Sequence, residues 1–497
     1  MTDEGFCDWI AVKGEMILKT GKGDEYRTLK GSETLIIDAG GGTVLPGFID
    51  SHFHVVQTAM NLQSVQMKDA GSWEGIGRKI RETEMEHPGK PIMGVRLEKE
   101  RLKENRFPDR KVLDRFSENV PVWINCLDYQ ISMLNTYGLL YYKIPFRMEG
   151  VETDSNGVAT GIFRGKANAM LRTNVLNRCS DDTRHKSVEQ LMPRILRYGI
   201  TTINAMEGGY MYSDRDAEFI HEYSGDFPVD ITLFYQSMDM NKINAMGLNR
   251  VGGSMYLDGT MGARTAALTF EYADRPGEMG NLTIGQNELN EFLVSCYQRH
   301  CQTALYTIGD RAIGQALRAH EYAIEKTGIS GLRHRLEHVE LATKDQIRKA
   351  AELGIIFSMN PTYEKYWGAP GEMYQKRLGA RYGTTNQYRM ILDEGVMLCA
   401  GSDSDICEID PMIGISAAVN HPVARHRITL QEALRMYTIN GAYAIGEEDR
   451  KGSLKEGHLA DIIIMNCDLE TLPAEKLEDA KVKCTIKSGG VVYNELL

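Results

Sequence analysis

Two histidines, His52 and His54, stand one residue apart at the end of an apolar run, Leu45–His54, reading LPGFIDSHFH. Side chains two apart on a strand project from one face. Two imidazoles leaving a strand's C-terminal end on one face can chelate a single metal ion. Taken alone, the pattern is a weak signal and more often means two surface histidines. Glu207 follows the apolar run Ile200–Met206 and offers a carboxylate at another strand end, or a solvated loop glutamate before Gly208 and Gly209. Asp403, in Gly401-Ser-Asp403, reads by itself as a cap or turn residue ahead of Asp410-Pro411. His338 by itself reads as a hydrogen-bonded core histidine.

Such groups need a scaffold, and the composition describes a globular one: 42% hydrophobic and 25% charged residues. Lys+Arg 57 against Asp+Glu 68 gives a net charge of −11. An acidic chain carries no electrostatic footprint for nucleic acid or an anionic membrane surface, so a small-molecule substrate is expected. No apolar stretch reaches the length of a transmembrane helix. The acidic start lacks the apolar core of a secretory signal. The nine cysteines form no CxxC, which points to free thiols in a reducing cytoplasm.

Strand-like runs open and close the chain: Asp8–Leu18, Thr34–Asp38, Ala460–Met465 and Lys483–Tyr493. Between them, apolar runs at 200–206, 253–258, 303–308, 334–339, 354–359 and 396–401 alternate with helical patterns such as Glu288–Arg299, Ala312–Thr327 and Thr343–Leu353. This rhythm implies parallel βαβ units, and the absence of an early GxGxxG favours a barrel over a doubly wound sheet. The expected fold is α/β: a (β/α)8 TIM barrel over 49–440, with a small β-sandwich built from 1–48 and 441–497. Residues 66 to about 180 fit the rhythm poorly and read as an insertion, with a hairpin-like stretch at 152–161.

The run LPGFIDSHFH resembles the opening motif of the amidohydrolase superfamily. Leu257–Leu268 (LDGTMGARTAAL) and Ile308–Ile313 (IGDRAI) resemble two blocks of its amidohydrolase-3, or YtcJ-like, group. Arg335–His338, Gly401–Asp403, Glu432–Leu434 and Gly452–Asp461 continue the series in the group's order. The resemblance spans the chain and is weakest over 66–180. It implies the barrel, a terminal β-sandwich, often a homodimer, and a divalent metal at the barrel's C-terminal face. His52, His54, His338 and Asp403 are then the implied ligands, with Asp403 also the general base and His338 an oxyanion stabiliser.

Four positions depart from the group's pattern. Tyr306 stands where the fifth-strand histidine is expected, and Ser254 where a bridging lysine is expected. Asp128-Tyr-Gln130 replaces D-G-H-S, and Asn360-Pro-Thr-Tyr363 replaces Q-P-T-H. Without the lysine a binuclear site is hard to build, so one Zn²⁺ is expected, with Glu207 a substitute ligand. Tyr306 can donate to a developing oxyanion. Tyr363, Gln130 and Arg264 are candidate substrate contacts, though for Arg264 a loop-anchoring role is favoured over a bidentate clamp on a substrate carboxylate. The expected activity is hydrolysis of an amide or cyclic amide C–N bond by metal-activated water. The alternatives are a lyase or isomerase using Tyr and Asp as acid and base, and a barrel that binds a ligand without turnover.

Overall fold

The computed structural model describes residues 7–145, 147–209 and 211–496, the side chains of 253 and 254 excepted. These divide into two compact units. One comprises the segments up to His54, Glu189–Met206 and Ile220 onward; the other comprises Val55–Val188 and Glu207–Phe219.

The first unit is built on a parallel eight-stranded sheet. Its strands in chain order are β1 (Phe48–Phe53), β2 (Ile200–Glu207), β3 (Asp230–Tyr235), β4 (Arg250–Tyr256), β5 (Gln302–Thr307), β6 (Arg335–His338), β7 (Ile356–Met359) and β8 (Leu398–Ala400). Each neighbours the next. Closure comes just past β8: Asp403 N–H donates to His52 O at 2.9 Å, and His54 N–H to Ser404 O at 3.1 Å. Gly401 permits that approach, since a Cβ there would lie 2.3 Å from His52 N. The sheet and its helices form the expected (β/α)8 barrel. Every residue of β1, β5, β6 and β7 is buried, as parallel strands covered on both faces require.

Loops at the strand ends are pinned by buried carboxylates. Asp258 accepts from the backbone N–H of Ala267, Ile308 and Gly309 at 2.9, 3.1 and 2.8 Å, tying the ends of β4 and β5 together. Asp310 accepts from Thr269 N–H at 2.9 Å. Removing the Asp258 carboxylate orphans three buried amides, so Asp258→Ala is expected to cost about 3 kcal/mol or more in a denaturant titration. Glu432 closes a capping box with Thr429 and takes Arg389.

The terminal strands form two antiparallel sheets. Trp9–Lys13 pairs with Met16–Gly21, and Val44–Pro46, Ile462–Met465, Val482–Lys487 and Gly490–Asn494 form a four-stranded sheet. Met16 bridges to Leu459 between them, over a shared core of Ile17, Leu454, Ala460 and Ile462. The segment 34–38, read from its β-branched run as a strand, forms none. Leu35 and Ile36 are exposed, and Val44–Pro46 takes the sheet position beside Ile462–Met465.

The second unit contains the stretch whose pattern breaks the barrel rhythm. It has a six-stranded mixed sheet and its own core around Ile76, Leu113, Val122 and Ile124. The hairpin-like stretch is a real antiparallel pair, Val151–Thr153 with Ala159–Arg164. No helix among the described residues is long and apolar enough to cross a membrane, and all nine cysteines are free.

Candidate metal centre

Three imidazoles and a carboxylate meet where β1 and β6 end and the barrel closes. His52 Nδ1 lies 2.7 Å from Glu337 Oε2, His54 Nδ1 2.8 Å from Met206 O, and His338 Nδ1 2.7 Å from Asn360 Oδ1. Each acceptor fixes its ring with the hydrogen on Nδ1, so each Nε2 carries the lone pair. Asp403 Oδ1 lies 3.4 Å from His52 Nε2 and 3.2 Å from His54 Nε2. Donor atoms of His52, His338 and Asp403 all fall within 4.8 Å of one another. The Nε2 atoms of His52 and His338 are buried without a hydrogen-bond partner. Unsatisfied buried nitrogens facing a carboxylate are the donor set of a divalent ion, so these residues fit one.

The backbone is bent to present them. His338, Val339 and Asp403 have φ of +70°, +48° and +52°. Non-glycine residues rarely adopt that region, and such strain gathers at functional sites.

Electrostatics tighten the cluster. Burial works against a charged His52, but the Asp403 and Glu337 carboxylates outweigh it and lift its pKa to about 9. A proton there balances two carboxylates; a divalent ion would balance them at the same place. Burial, helped by His52, pushes His338 down to about 4. Burial would raise Glu337, yet the Arg335 guanidinium and His52 hold it down at about 2. Arg335 Nε and Nη2 reach Glu337 at 2.8 and 2.9 Å, and Nη2 also reaches Ser51 O and Ser358 Oγ. Asp50 accepts from the amides of His52 and Ser402, locking β1 to the loop after β8.

Glu337, Arg335, Asn360 and Asp50 escaped the sequence reading. One signal was present: Arg335 and Glu337 alternate along β6, which puts opposite charges on one face of a buried strand.

The aromatic substitutions fall beside the cluster. Tyr306 is buried with its ring 4.5 Å from His338, and among the described residues its hydroxyl has no hydrogen-bond partner. Burial drives its pKa well above the usual phenol. Tyr363 stacks parallel to His338, and its hydroxyl donates to Asp403 Oδ2. Tyr363, expected as a substrate contact, has its hydroxyl hydrogen on Asp403. Asn360 and Tyr363, three residues apart, thus hold His338 and Asp403.

Arg264 takes the loop-anchoring role favoured for it. Its Nε and Nη2 meet Asp274 at 3.0 and 2.7 Å, so it anchors a loop rather than standing open to a substrate carboxylate. Arg264→Ala is expected to lower stability by about 1 kcal/mol or less in thermal melts, and to leave KM unchanged.

Gln130 and Glu207 belong to the second unit. Gln130 is half-buried, and its backbone N–H donates to Asp128 Oδ1. Glu207 is fully buried, with Oε1 accepting from Val56 N–H and Oε2 unpartnered. Burial and nearby Asp216 push it far above the usual carboxylate range. Trp123 donates to Ser132 Oγ within that unit's core, a packing role. The side chain of Ser254, at the lysine position, lies outside the described residues.

A barrel with imidazoles after β1 and β6 and an aspartate after β8 defines a class of metal-dependent hydrolases. A profile of the amidohydrolase family matches residues 35–493, and the chain belongs to that family. It is 24% identical to the putative amidohydrolase YtcJ of Bacillus subtilis (strain 168), over 100% of this chain and 98% of that protein. It is 24% identical to N-substituted formamide deformylase of Arthrobacter pascens, over 97% of this chain and 94% of that one. The fold matches that of an uncharacterized metal-dependent hydrolase from Pyrococcus horikoshii OT3, with a TM-score of 0.77, 22% identity and 94% of each chain covered.

Proposed function

We propose that this protein hydrolyses a C–N bond of a small-molecule amide or cyclic amide in the cytoplasm, using a single Zn²⁺. His52, His54, His338 and Asp403 would hold the ion. The observation that carries the reading is the shared orientation of His52 and His338: each Nδ1 faces an acceptor, and each Nε2 is buried without a hydrogen-bond partner. Nitrogen donors with one carboxylate suit zinc over a hard cation. Among relatives, N-substituted formamide deformylase by its name acts on such a bond.

When bound, such an ion supplies a Lewis acid and a water of lowered pKa. The chain's own groups do the rest. Asp403 accepts a proton from the attacking water and passes it to the departing nitrogen. Tyr363 holds Asp403 Oδ2, leaving Oδ1 toward the imidazoles. Tyr306 donates its unengaged hydroxyl to the developing oxyanion. His338 is kept neutral by burial and held by Asn360.

Reaction of an amide in ¹⁸O-labelled water tests the hydrolytic step. Label in the acid product is expected; product formed without label would mean a lyase or isomerase. Chelation is expected to remove activity and Zn²⁺ to restore it. Tyr306→Phe is expected to lower kcat by about tenfold to a hundredfold with KM little changed, in steady-state kinetics.

A further inference from the structure

Behind the β6 and β7 loops lies a buried polar cluster that the proposed chemistry does not use. It comprises Glu340, Glu364, Tyr374, Asn386, Tyr388 and His421. All are buried, Glu340 and Glu364 at 3% and 2% exposure and Tyr374, Tyr388 and His421 at 0%. The contacts run in sequence. Asn386 N–H donates to Glu340 O at 2.9 Å, and Asn386 Nδ2 to Glu364 Oε1 at 2.6 Å. Thr385 Oγ1 also donates to Glu364 Oε1, at 3.2 Å. His421 Nε2 lies 3.4 Å from the same oxygen, and the His421 ring packs edge-on to Tyr388.

Three oxygens here have no hydrogen-bond partner among the described residues, Glu340 Oε2, Glu364 Oε2 and Tyr388 OH, and the Tyr374 hydroxyl turns toward Glu340 and Asn386. His421 Nε2 lacks one too. Its Nδ1 accepts from Val423 N–H, so Nε2 bears the hydrogen and offers no lone pair. No Lys or Arg ion pair reaches either glutamate among the described residues; the one ion-pair contact is His421 on Glu364. A carboxylate buried without a cation or a full set of donors is costly, and two in one cluster are more so. Gly368 brings the chain down on this spot. A Cβ there would lie 1.7 Å from Glu364 Oε2, so glycine alone leaves that oxygen room.

We propose that these oxygens form a second cation site, which takes a hard metal ion such as Ca²⁺, Mg²⁺ or K⁺. Carboxylate and hydroxyl oxygens without imidazole lone pairs select ions of that kind, unlike the nitrogen-rich centre beside them. The site's position gives it a purpose. Glu340 lies two residues after His338, and Glu364 directly follows Tyr363. An ion joining them braces the loop that carries one candidate zinc ligand to the helix that holds another. The inference stands whatever reaction the barrel performs.

The test uses the purified full chain. Elemental analysis after dialysis counts calcium, magnesium and potassium apart from zinc. Thermal melts then compare CaCl₂, MgCl₂ and KCl with choline chloride at equal ionic strength, for wild type, Glu364→Gln and Tyr374→Phe. One salt is expected to raise the wild-type melting temperature saturably by about 3 °C, or its ion to be found already bound near one equivalent. The effect should vanish in Glu364→Gln and weaken in Tyr374→Phe, which keeps both carboxylates if the first variant folds poorly. Absence of bound ion together with melting indifferent to the cation would overturn the proposal. So would a rise that persists unchanged in both variants.

Discussion

Asp403→Asn is expected to lower kcat/KM by roughly a thousandfold to ten-thousandfold, compared at equal zinc content. The substitution preserves shape but removes the negative charge and the proton acceptor. Asp403 Oδ1 sits 3.2 Å from His54 Nε2 and 3.4 Å from His52 Nε2, and Oδ2 receives the Tyr363 hydroxyl. Burial alone would raise its pKa, but the adjoining His52 and His54 imidazoles hold it well below the ordinary carboxylate value. It therefore stays ionised and ready to take a proton. Steady-state kinetics on metal-quantified protein decides the matter, and a loss under tenfold would remove Asp403 from the chemistry.

The largest loss of stability is expected from Glu337→Ala. Arg335 and Glu337 both have fully buried side chains and pair at 2.8 Å. Deleting the carboxylate strands a guanidinium in the barrel interior, at about 3–5 kcal/mol. Replacing both members by leucine should cost less than the single change, because no charge is left behind. Urea titrations of the two variants and wild type measure this; a double variant less stable than Glu337→Ala would contradict the buried-pair account. Glu337→Gln separates positioning from folding. It keeps the size, but its amide is a weaker acceptor for His52 Nδ1–H, and zinc affinity should fall about tenfold to a hundredfold.

These effects reflect what the sequence could and could not reveal. The barrel was legible because its strands are short apolar runs spaced by amphipathic helices. His52 and His54 were legible because a period of two on a strand is a geometric certainty once the strand ends there. Asp403 and His338 became persuasive only within an ordered series of motifs. Tyr363's bond to Asp403 was not readable, since it spans the gap between the β7 loop and the closing segment, a distance no local pattern encodes. The same holds for Asn360 on His338. An anchoring role for Arg264 was legible but its partner was not, since Asp274 lies in an irregular loop without periodicity. Residues 55–188 resisted the barrel reading for a physical reason: they make their own sheet around their own core. The run at 34–38 misled because β-branched composition favours a strand only where a neighbouring strand is there to pair with it.

Zinc stoichiometry across ligand variants bears most directly on the central claim. Inductively coupled plasma analysis of wild type should find about one equivalent of zinc, falling below about a tenth in His52→Ala and in a His338→Ala/Asp403→Ala double variant that remain folded by circular dichroism. Full zinc occupancy in those folded variants, or undiminished hydrolysis by wild type stripped of metal, would contradict it.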